Sequence, residues 1–79
     1  MNIYSWNVNG LRSALKKGFT DWFAATKPDI LCLQEVRAEV DQIPEEVANP
    51  DGYFAYWNPC RRKKGYSGEA FIPKLNLTA

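Results

Sequence analysis

The sequence predicts an α/β fold, because a strand-like segment, a helical segment and a second strand-like segment follow one another from its start. The most informative stretch is residues 27–35, where Pro28 precedes the apolar run 30–33, and a glutamine and Glu35 follow that run. Proline disfavours helix in the residue before it, and a short apolar run between turn signals is typical of a strand buried on both faces. Ligands of open α/β sheets bind at the carboxyl ends of strands, so Glu35 is the first candidate for a functional residue.

The remaining elements can be assigned in order. Residues 2–8 are predicted as the first strand, because large side chains at alternate positions share one face. Apolar residues at helical spacing over residues 11–26 predict an amphipathic helix, and Gly18 within it predicts a kink or two short helices. The buried strand is predicted over residues 29–34. A strand, a helix and a strand in this order predict parallel pairing through a right-handed crossover.

The second half of the chain predicts fewer regular elements. The acidic segment 38–52 is expected to be a loop with at most one helical turn, and the aromatic segment 53–58 a third strand. Residues 68–74 form a fourth strand candidate, in which Pro73 suits only an edge strand or a strand end. The third and fourth strands could pair as a hairpin. Four strands and one helical layer leave much of a sheet uncovered, which indicates the first part of a larger domain.

Composition limits the classes of function. The chain has 79 residues, so it is at most one small domain, and its net charge of +1 gives no overall basic field that would mark a nucleic-acid-binding protein. It contains no histidine, which removes the commonest general base. Any chemistry must therefore rest on Asp, Glu, Asn, Tyr and Lys side chains, or on groups outside this chain.

The cysteines and the apolar segments indicate the cellular compartment. Cys32 lies in the predicted buried strand and Cys60 in a polar loop, so free thiols in a reducing compartment are the simpler explanation. No leader pattern follows Met1, and no segment approaches the roughly 18 apolar residues of a membrane helix. The sequence therefore predicts a cytoplasmic protein without a membrane partner.

Two polar side chains are expected to meet at the ends of the first two strands. If these strands are parallel neighbours, Asn7 and Glu35 lie side by side, and together they form a reasonable half-site for Mg²⁺. They are the candidate catalytic residues and the candidate metal ligands. In the alternative interpretation, Asn7 caps the turn that follows it and Glu35 is a solvated loop acid.

Three further residues are candidates for contact with phosphates or nucleic acid. Arg12 and Arg37 lie close to the predicted strand ends, where a guanidinium could pair with a phosphate. Tyr56 lies near the basic run 61–64, a combination of aromatic and cationic residues that is typical of nucleic-acid grooves. Each arginine, and the basic run, could equally be an ordinary solvated surface charge.

Three segments resemble the motifs of a known family. Residues 5–12 (Ser-Trp-Asn-Val-Asn-Gly-Leu-Arg), residues 28–35 (Pro-Asp-Ile-Leu-Cys-Leu-Gln-Glu), and residues 56–58 with 65–68 (Tyr-Trp-Asn and Gly-Tyr-Ser-Gly) resemble the exonuclease III family of apurinic/apyrimidinic endonucleases. The Leu-Gln-Glu sequence marks the wider endonuclease/exonuclease/phosphatase superfamily, and the other motifs narrow the resemblance to its DNA-repair branch.

The resemblance implies a fold and an activity. The fold would be a four-layered, DNase I-like α/β sandwich, of which residues 1–79 are the amino-terminal part, truncated after the fourth predicted strand. The complete enzyme would use Mg²⁺, or Mn²⁺ in its place, to cleave DNA at abasic sites, with 3′-to-5′ exonuclease activity. Its partner would be double-stranded DNA with abasic or damaged 3′ ends, bound by a monomer.

The resemblance also assigns roles to residues. Glu35 matches the metal-ligand glutamate, and Asn7 matches the asparagine that supports the metal site and the catalytic network. Arg12 matches a residue near the DNA backbone and Tyr56 a tyrosine that contacts DNA, whereas Arg37 stands where a lysine often follows the glutamate.

The family's later catalytic groups, including an Asp-x-Asn motif and a terminal Asp-His pair, have no counterpart in this sequence. The chain alone is therefore expected to be inactive. The alternatives are a non-catalytic remnant and a phosphodiesterase of the same superfamily with a phosphoinositide, sphingolipid or RNA substrate.

Overall fold

A four-stranded mixed sheet with helices packed against one face forms the core of the computed structural model, which describes residues 1–59 and 68–76. The elements in chain order are β1 (Ile3–Asn7), α1 (Leu11–Lys16), α2 (Phe19–Thr26), β2 (Ile30–Gln34), a 3₁₀ turn (Val40–Gln42), α3 (Glu45–Ala48), β3 (Tyr56–Pro59) and β4 (Gly68–Pro73). The order of strands across the sheet is β1-β2-β4-β3. The predicted α/β class is confirmed.

The first two strands are parallel, as predicted. Their register runs from Ile3 opposite Ile30 to Asn7 opposite Gln34, so both strands end at the same edge of the sheet. β4 is antiparallel to β2 on one side and to β3 on the other. The carboxyl ends of β1 and β2 therefore adjoin the start of β4, at Gly68.

The helical segment is divided at the predicted glycine. Gly18 has φ +102° and separates α1 from α2, which confirms the expectation of a kink or two short helices. This left-handed conformation is accessible to glycine at little cost, whereas other residues adopt it at a penalty. α2 ends at Thr26, and the next residue, Lys27, is also left-handed (φ +48°) and donates its backbone N–H to the Phe23 carbonyl at 3.0 Å.

Lys27→Gly is expected to raise the free energy of unfolding by about 0.5 kcal/mol. A non-glycine residue in this conformation costs about 1–2 kcal/mol, and the greater freedom of glycine in the unfolded chain offsets about 0.5–1 kcal/mol of the gain. The melting temperature should rise by about 2–4 °C, measured by circular dichroism. Ala24→Gly, on an exposed turn of α2, is the matched control and should lower stability by about 1 kcal/mol. A loss of stability in both variants would contradict this explanation.

The hydrophobic core lies between the sheet and the helices. Leu31 and Leu33 of β2 are fully buried beneath Leu11 and Phe19, and Trp6 of β1 stacks on Phe19 with ring centroids 5.5 Å apart. The aromatic residues of the helical segment thus serve the core.

The acidic segment contributes more structure than predicted. It contains two helical turns, the 3₁₀ turn and α3, rather than at most one. Ile43, Val47 and Ala48 are buried in the core cluster, and Trp57 donates its indole N–H to the Ala48 carbonyl at 2.8 Å. These apolar residues, spaced for a short helix, anchor the segment although acids surround them in the sequence.

The opposite face of the sheet is uncovered in the part of the chain that the structure describes. The prediction that β2 is buried on both faces is wrong for this reason. Ile3 is 61% exposed, Tyr56 57% and Phe71 45%. We call this surface the open face; it carries Ile3, Ser5, Ile30, Cys32, Gln34, Tyr56, Asn58, Glu69 and Phe71.

The last two strands differ in detail from the prediction. β3 begins at Tyr56 rather than residue 53, and Tyr53 makes only an isolated bridge to Lys74. Pro73 is the last residue of β4, which confirms the strand-end alternative, although β4 lies inside the sheet rather than at its edge. β3 and β4 pair antiparallel as expected. The basic run 61–64 lies outside the described residues.

Within residues 1–59 and 68–76, no helix combines the length and the apolar character needed to cross a membrane, and the longest, α2, has eight residues.

Candidate functional site

The backbone at Glu35 adopts an uncommon conformation. Glu35 has φ +53° and Arg37 has φ +54°, both in the left-handed region. Side-chain-bearing residues pay about 1–2 kcal/mol there, and such strain persists only where the surrounding structure over-determines it.

Three hydrogen bonds impose this conformation. Gly10 N–H donates to the Glu35 carbonyl at 2.8 Å, and Leu11 N–H donates to the Val36 carbonyl at 2.8 Å. Val36 N–H in turn donates to the Gly68 carbonyl at 3.0 Å. The start of α1 and the start of β4 therefore hold the main chain at Glu35 from two sides, and its carboxylate projects from a fixed point.

The predicted neighbours of Glu35 contact it. Asn7 Nδ2 donates to Glu35 Oε2, and Arg37 Nη2 donates to Glu35 Oε1 at 2.7 Å. Asn7 Oδ1 accepts the backbone N–H of Asn9 at 3.0 Å, so the amide group is oriented with its nitrogen toward the carboxylate. The structure thus brings Asn7, Glu35 and Arg37 together at the carboxyl ends of β1 and β2.

This donor set is compatible with a hard divalent cation that needs few protein ligands. In the described part of the chain, no three His, Cys, Asp or Glu side chains cluster as a metal-binding group. A single carboxylate, 38% exposed and held by a rigid backbone, remains at Glu35. Mg²⁺ commonly takes one or two protein carboxylates and completes its shell with water and phosphate, so the site fits Mg²⁺ better than a metal that requires an all-protein shell.

The other two candidate residues lie apart from this group. Arg12 is an exposed residue in the first turn of α1, next to Leu11, and it makes no side-chain hydrogen bond within the described ranges. Tyr56 lies on the open face, paired in register with Phe71, at a ring-centroid distance of 6.1 Å. Neither side chain contacts Glu35, and their predicted roles in binding DNA stay predictions.

A row of polar residues at this edge of the sheet escaped the sequence reasoning. Asn7, Gln34, Glu69 and Asn58 occupy matching register positions on β1, β2, β4 and β3. Gln34 Nε2 also donates to Ser5 Oγ at 3.1 Å. The available signal was the two-residue period of each strand, but the order of the strands was needed to align the four positions.

Among the described residues, the ionisable groups with shifted pKa values lie near the opposite end of the strands, away from Glu35. The backbone N–H of Asn2 donates to the Asp29 carboxylate at 2.6 Å and lowers its pKa, and Lys74 Nζ at 3.3 Å adds to the effect. Burial raises the pKa of Tyr53, whose hydroxyl donates to the Pro28 carbonyl at 2.7 Å. These contacts join β2 to its neighbours and are structural.

The family model described as the Endonuclease/Exonuclease/phosphatase family matches residues 4–79. The chain belongs to the endonuclease/exonuclease/phosphatase family. It is 43% identical over 82 residues to the DNA repair nuclease APEX1 of Danio rerio, covering 99% of this chain and 26% of that protein. It is 41% identical over 75 residues to an exodeoxyribonuclease of Bacillus subtilis, covering 94% of this chain and 28% of that protein.

Solved structures of the same family show the fold. The catalytic domain of Xenopus laevis APE2 superposes with a TM-score of 0.73 at 37% identity, covering 94% of this chain and 23% of that one. A Neisseria 3′ phosphatase, NExo, bound to a product DNA hairpin, gives a TM-score of 0.72 at 33% identity, covering 92% and 27%. The predicted exonuclease III-type family and DNase I-like fold are confirmed. The chain spans about a quarter of the length of these family members.

Proposed function

We propose that this chain is a segment of a Mg²⁺-dependent DNA-repair nuclease that cleaves the phosphodiester backbone at abasic sites and acts as a 3′-to-5′ exonuclease in its complete form. The observation that carries the proposal is the Glu35 carboxylate, fixed by a strained and over-determined backbone and contacted by Asn7 and Arg37. The names of the relatives, and the DNA hairpin bound to one of them, support DNA as the substrate class.

Each residue of the site has a distinct role in this proposal. Glu35 holds Mg²⁺, which when bound stabilises negative charge on the phosphate and the leaving oxygen. Asn7 orients the Glu35 carboxylate through its side-chain amide, because its own oxygen is fixed by Asn9. Arg37 supplies a guanidinium close to the metal ligand, and Arg12 and Tyr56 contact the DNA at the start of α1 and on the open face. Mn²⁺ would suit the same oxygen ligands.

The chain alone is expected not to incise a duplex that carries one synthetic abasic site, with either Mg²⁺ or a chelator. The chain has no histidine, the commonest general base, and in the described ranges Glu35 is not part of any cluster of three potential metal-ligating side chains. The measurement is strand cleavage on a denaturing gel. Cleavage that requires Mg²⁺ and is lost in Glu35→Ala would show that further copies, or residues outside the described ranges, complete the site.

A chimera tests the function of the segment directly. In the Bacillus subtilis exodeoxyribonuclease, the segment that matches this chain would be replaced with the chain's own sequence. The two segments are 41% identical over 75 residues. The chimera is expected to incise abasic duplex DNA with Mg²⁺, and Glu35→Gln in it should reduce the rate at least tenfold. A chimera that melts cooperatively but shows no incision would overturn the proposal.

The open face favours a second candidate, a non-catalytic remnant. The exposed side chains of Ile3, Tyr56 and Phe71 form an apolar surface that a chain without further layers leaves in water. A sharp, cooperative thermal transition of a monomer would count against an unstable remnant.

The predicted monomeric state and cytoplasmic location stay predictions. Competition with RNA and phosphoinositides would test the choice of substrate.

A further inference from the structure

We propose that Arg37 is an internal counter-cation for Glu35, displaced when a divalent metal ion binds, and that the released guanidinium then pairs with a DNA phosphate. Metal binding and DNA binding would thereby be thermodynamically coupled through one side chain. The inference rests on the proposed function, because it takes Glu35 as a ligand of a divalent cation.

The geometry shows why Arg37 opposes a metal ion at Glu35. Glu35 Oε2 accepts from Asn7, and Glu35 Oε1 accepts from Arg37 at 2.7 Å, so each carboxylate oxygen already has a partner. Each oxygen keeps a second lone pair, so a cation competes with Arg37 for the negative charge of the carboxylate rather than for a free position on it. Because Arg37 is itself cationic, it also repels the metal as long as it stays beside Glu35.

Of the two hydrogen-bond donors to Glu35, Arg37 is the one that a metal ion displaces. Asn7 belongs to β1, and its amide oxygen is bound to Asn9 N–H at 3.0 Å, so both ends of its side-chain amide are engaged. The Arg37 side chain is 45% exposed, and in the described ranges its only hydrogen bond to another side chain is that to Glu35. A rotation about its side-chain bonds is sufficient to release it.

The backbone keeps the released guanidinium close to the metal. Glu35 and Arg37 are separated by one residue, Val36, whose N–H and carbonyl are bound to Gly68 and Leu11. The main chain, rather than the ion pair, therefore determines where both side chains start. When Arg37 leaves the carboxylate, it stays within side-chain reach of any phosphate that the same metal contacts, where guanidinium and phosphate can pair in a bidentate manner.

The size of the effect follows from the exposure of the pair. Ion pairs between half-exposed partners change an equilibrium by about two- to fivefold. Competition with Arg37 should lower the affinity of Glu35 for a divalent ion by that factor. A phosphate that draws Arg37 away should raise the metal affinity by the same factor, and by linkage the metal should raise the phosphate affinity equally.

The first experiment titrates the 79-residue chain with MgCl₂ and follows backbone amide chemical shifts. Arg37→Met is expected to bind Mg²⁺ two- to fivefold more tightly than the unmodified chain, because the competing cation is gone. Arg37→Lys keeps a cation and should restore an affinity close to that of the unmodified chain. Lys16→Met removes an exposed cation from the last turn of α1 and is the matched control, with no change expected.

The second experiment measures coupling. Binding of a labelled duplex with one tetrahydrofuran abasic analogue is followed by fluorescence anisotropy, with Mg²⁺ and with chelator. The dissociation constant for DNA measured with chelator, divided by that measured with Mg²⁺, gives the coupling. This ratio should fall two- to fivefold in Arg37→Met and stay unchanged in Lys16→Met.

Different outcomes separate the two proposals. If the unmodified chain binds Mg²⁺ and Arg37→Met, folded by circular dichroism, binds it equally or more weakly, the counter-cation inference is overturned and the proposed function stands. If neither chain binds Mg²⁺, the counter-cation inference is overturned, and incision by the chimera decides the proposed function separately. Glu35→Gln identifies the site, because Mg²⁺-dependent shifts that survive this substitution belong elsewhere and also overturn the inference.

Discussion

Leu33→Ala is expected to lower the free energy of unfolding by about 3 kcal/mol. Leu33 is 1% exposed, and it lies in a central strand between Trp6 and Ala70, its register partners on β1 and β4. Truncation removes buried methyl groups and leaves a cavity, and Leu→Ala changes in cores cost about 2–5 kcal/mol. For a domain of this size the melting temperature should fall by about 12–24 °C, measured by circular dichroism with urea unfolding in parallel.

The adjacent residue provides a matched control. Cys32→Ala changes the same strand, but its side chain lies on the open face and is only partly buried. Its cost should stay below about 1 kcal/mol, because little burial is lost. Equal losses for Leu33→Ala and Cys32→Ala would mean that both faces of β2 are covered in solution, which would contradict the one-sided core.

Glu35→Gln is expected to weaken Mg²⁺ binding more than tenfold. Glutamine is nearly isosteric and its single amide oxygen can still accept from Asn7 Nδ2, so the substitution removes the negative charge and the ion pair with Arg37 while keeping the Asn7 contact. Interactions of charged groups are worth about 1.5–3 kcal/mol, and 1.4 kcal/mol is a tenfold change in affinity. Titration with MgCl₂, followed by amide shifts at residues 7–10 and 34–37, measures the effect.

A carboxylate elsewhere in the fold shows whether the loss is specific. Asp29→Asn removes an acid near the opposite edge of the sheet, where its carboxylate pairs with Lys74. This variant should bind Mg²⁺ as the unmodified chain does. Equal weakening in Asp29→Asn and Glu35→Gln would show non-specific binding of the ion to surface charge, and Glu35 would lose its assigned role.

Local patterns in the sequence predicted the parts of the fold that depend on local physics. Gly18 divided the helical segment because its backbone preference acts on its own residue. The parallel pairing of β1 and β2 followed from the order strand, helix, strand, because a helical connection between two such strands favours the parallel arrangement. The meeting of Asn7 and Glu35 was predictable for the same reason, because parallel strands end at one edge.

The remaining features depend on contacts between distant segments. The left-handed backbone at Glu35 is imposed by Gly10 and Gly68, and no pattern around residue 35 reports it. The pairing of Arg37 with Glu35 depends on that backbone. The burial of Ile43, Val47 and Ala48 was hidden by the acids near them, because composition averages over the few side chains that point inward.

The position of β4 inside the sheet has a consequence for biosynthesis. β4 is the last strand of the described chain, yet it lies between β2 and β3, so Ile30 cannot reach its partner Pro73 until residue 73 has left the ribosome. Until then one edge of β2 stays unpaired, which invites association with other chains. Pairing between such distant residues also slows folding. A product that ended before residue 68 would therefore keep this edge of β2 exposed to association with other chains.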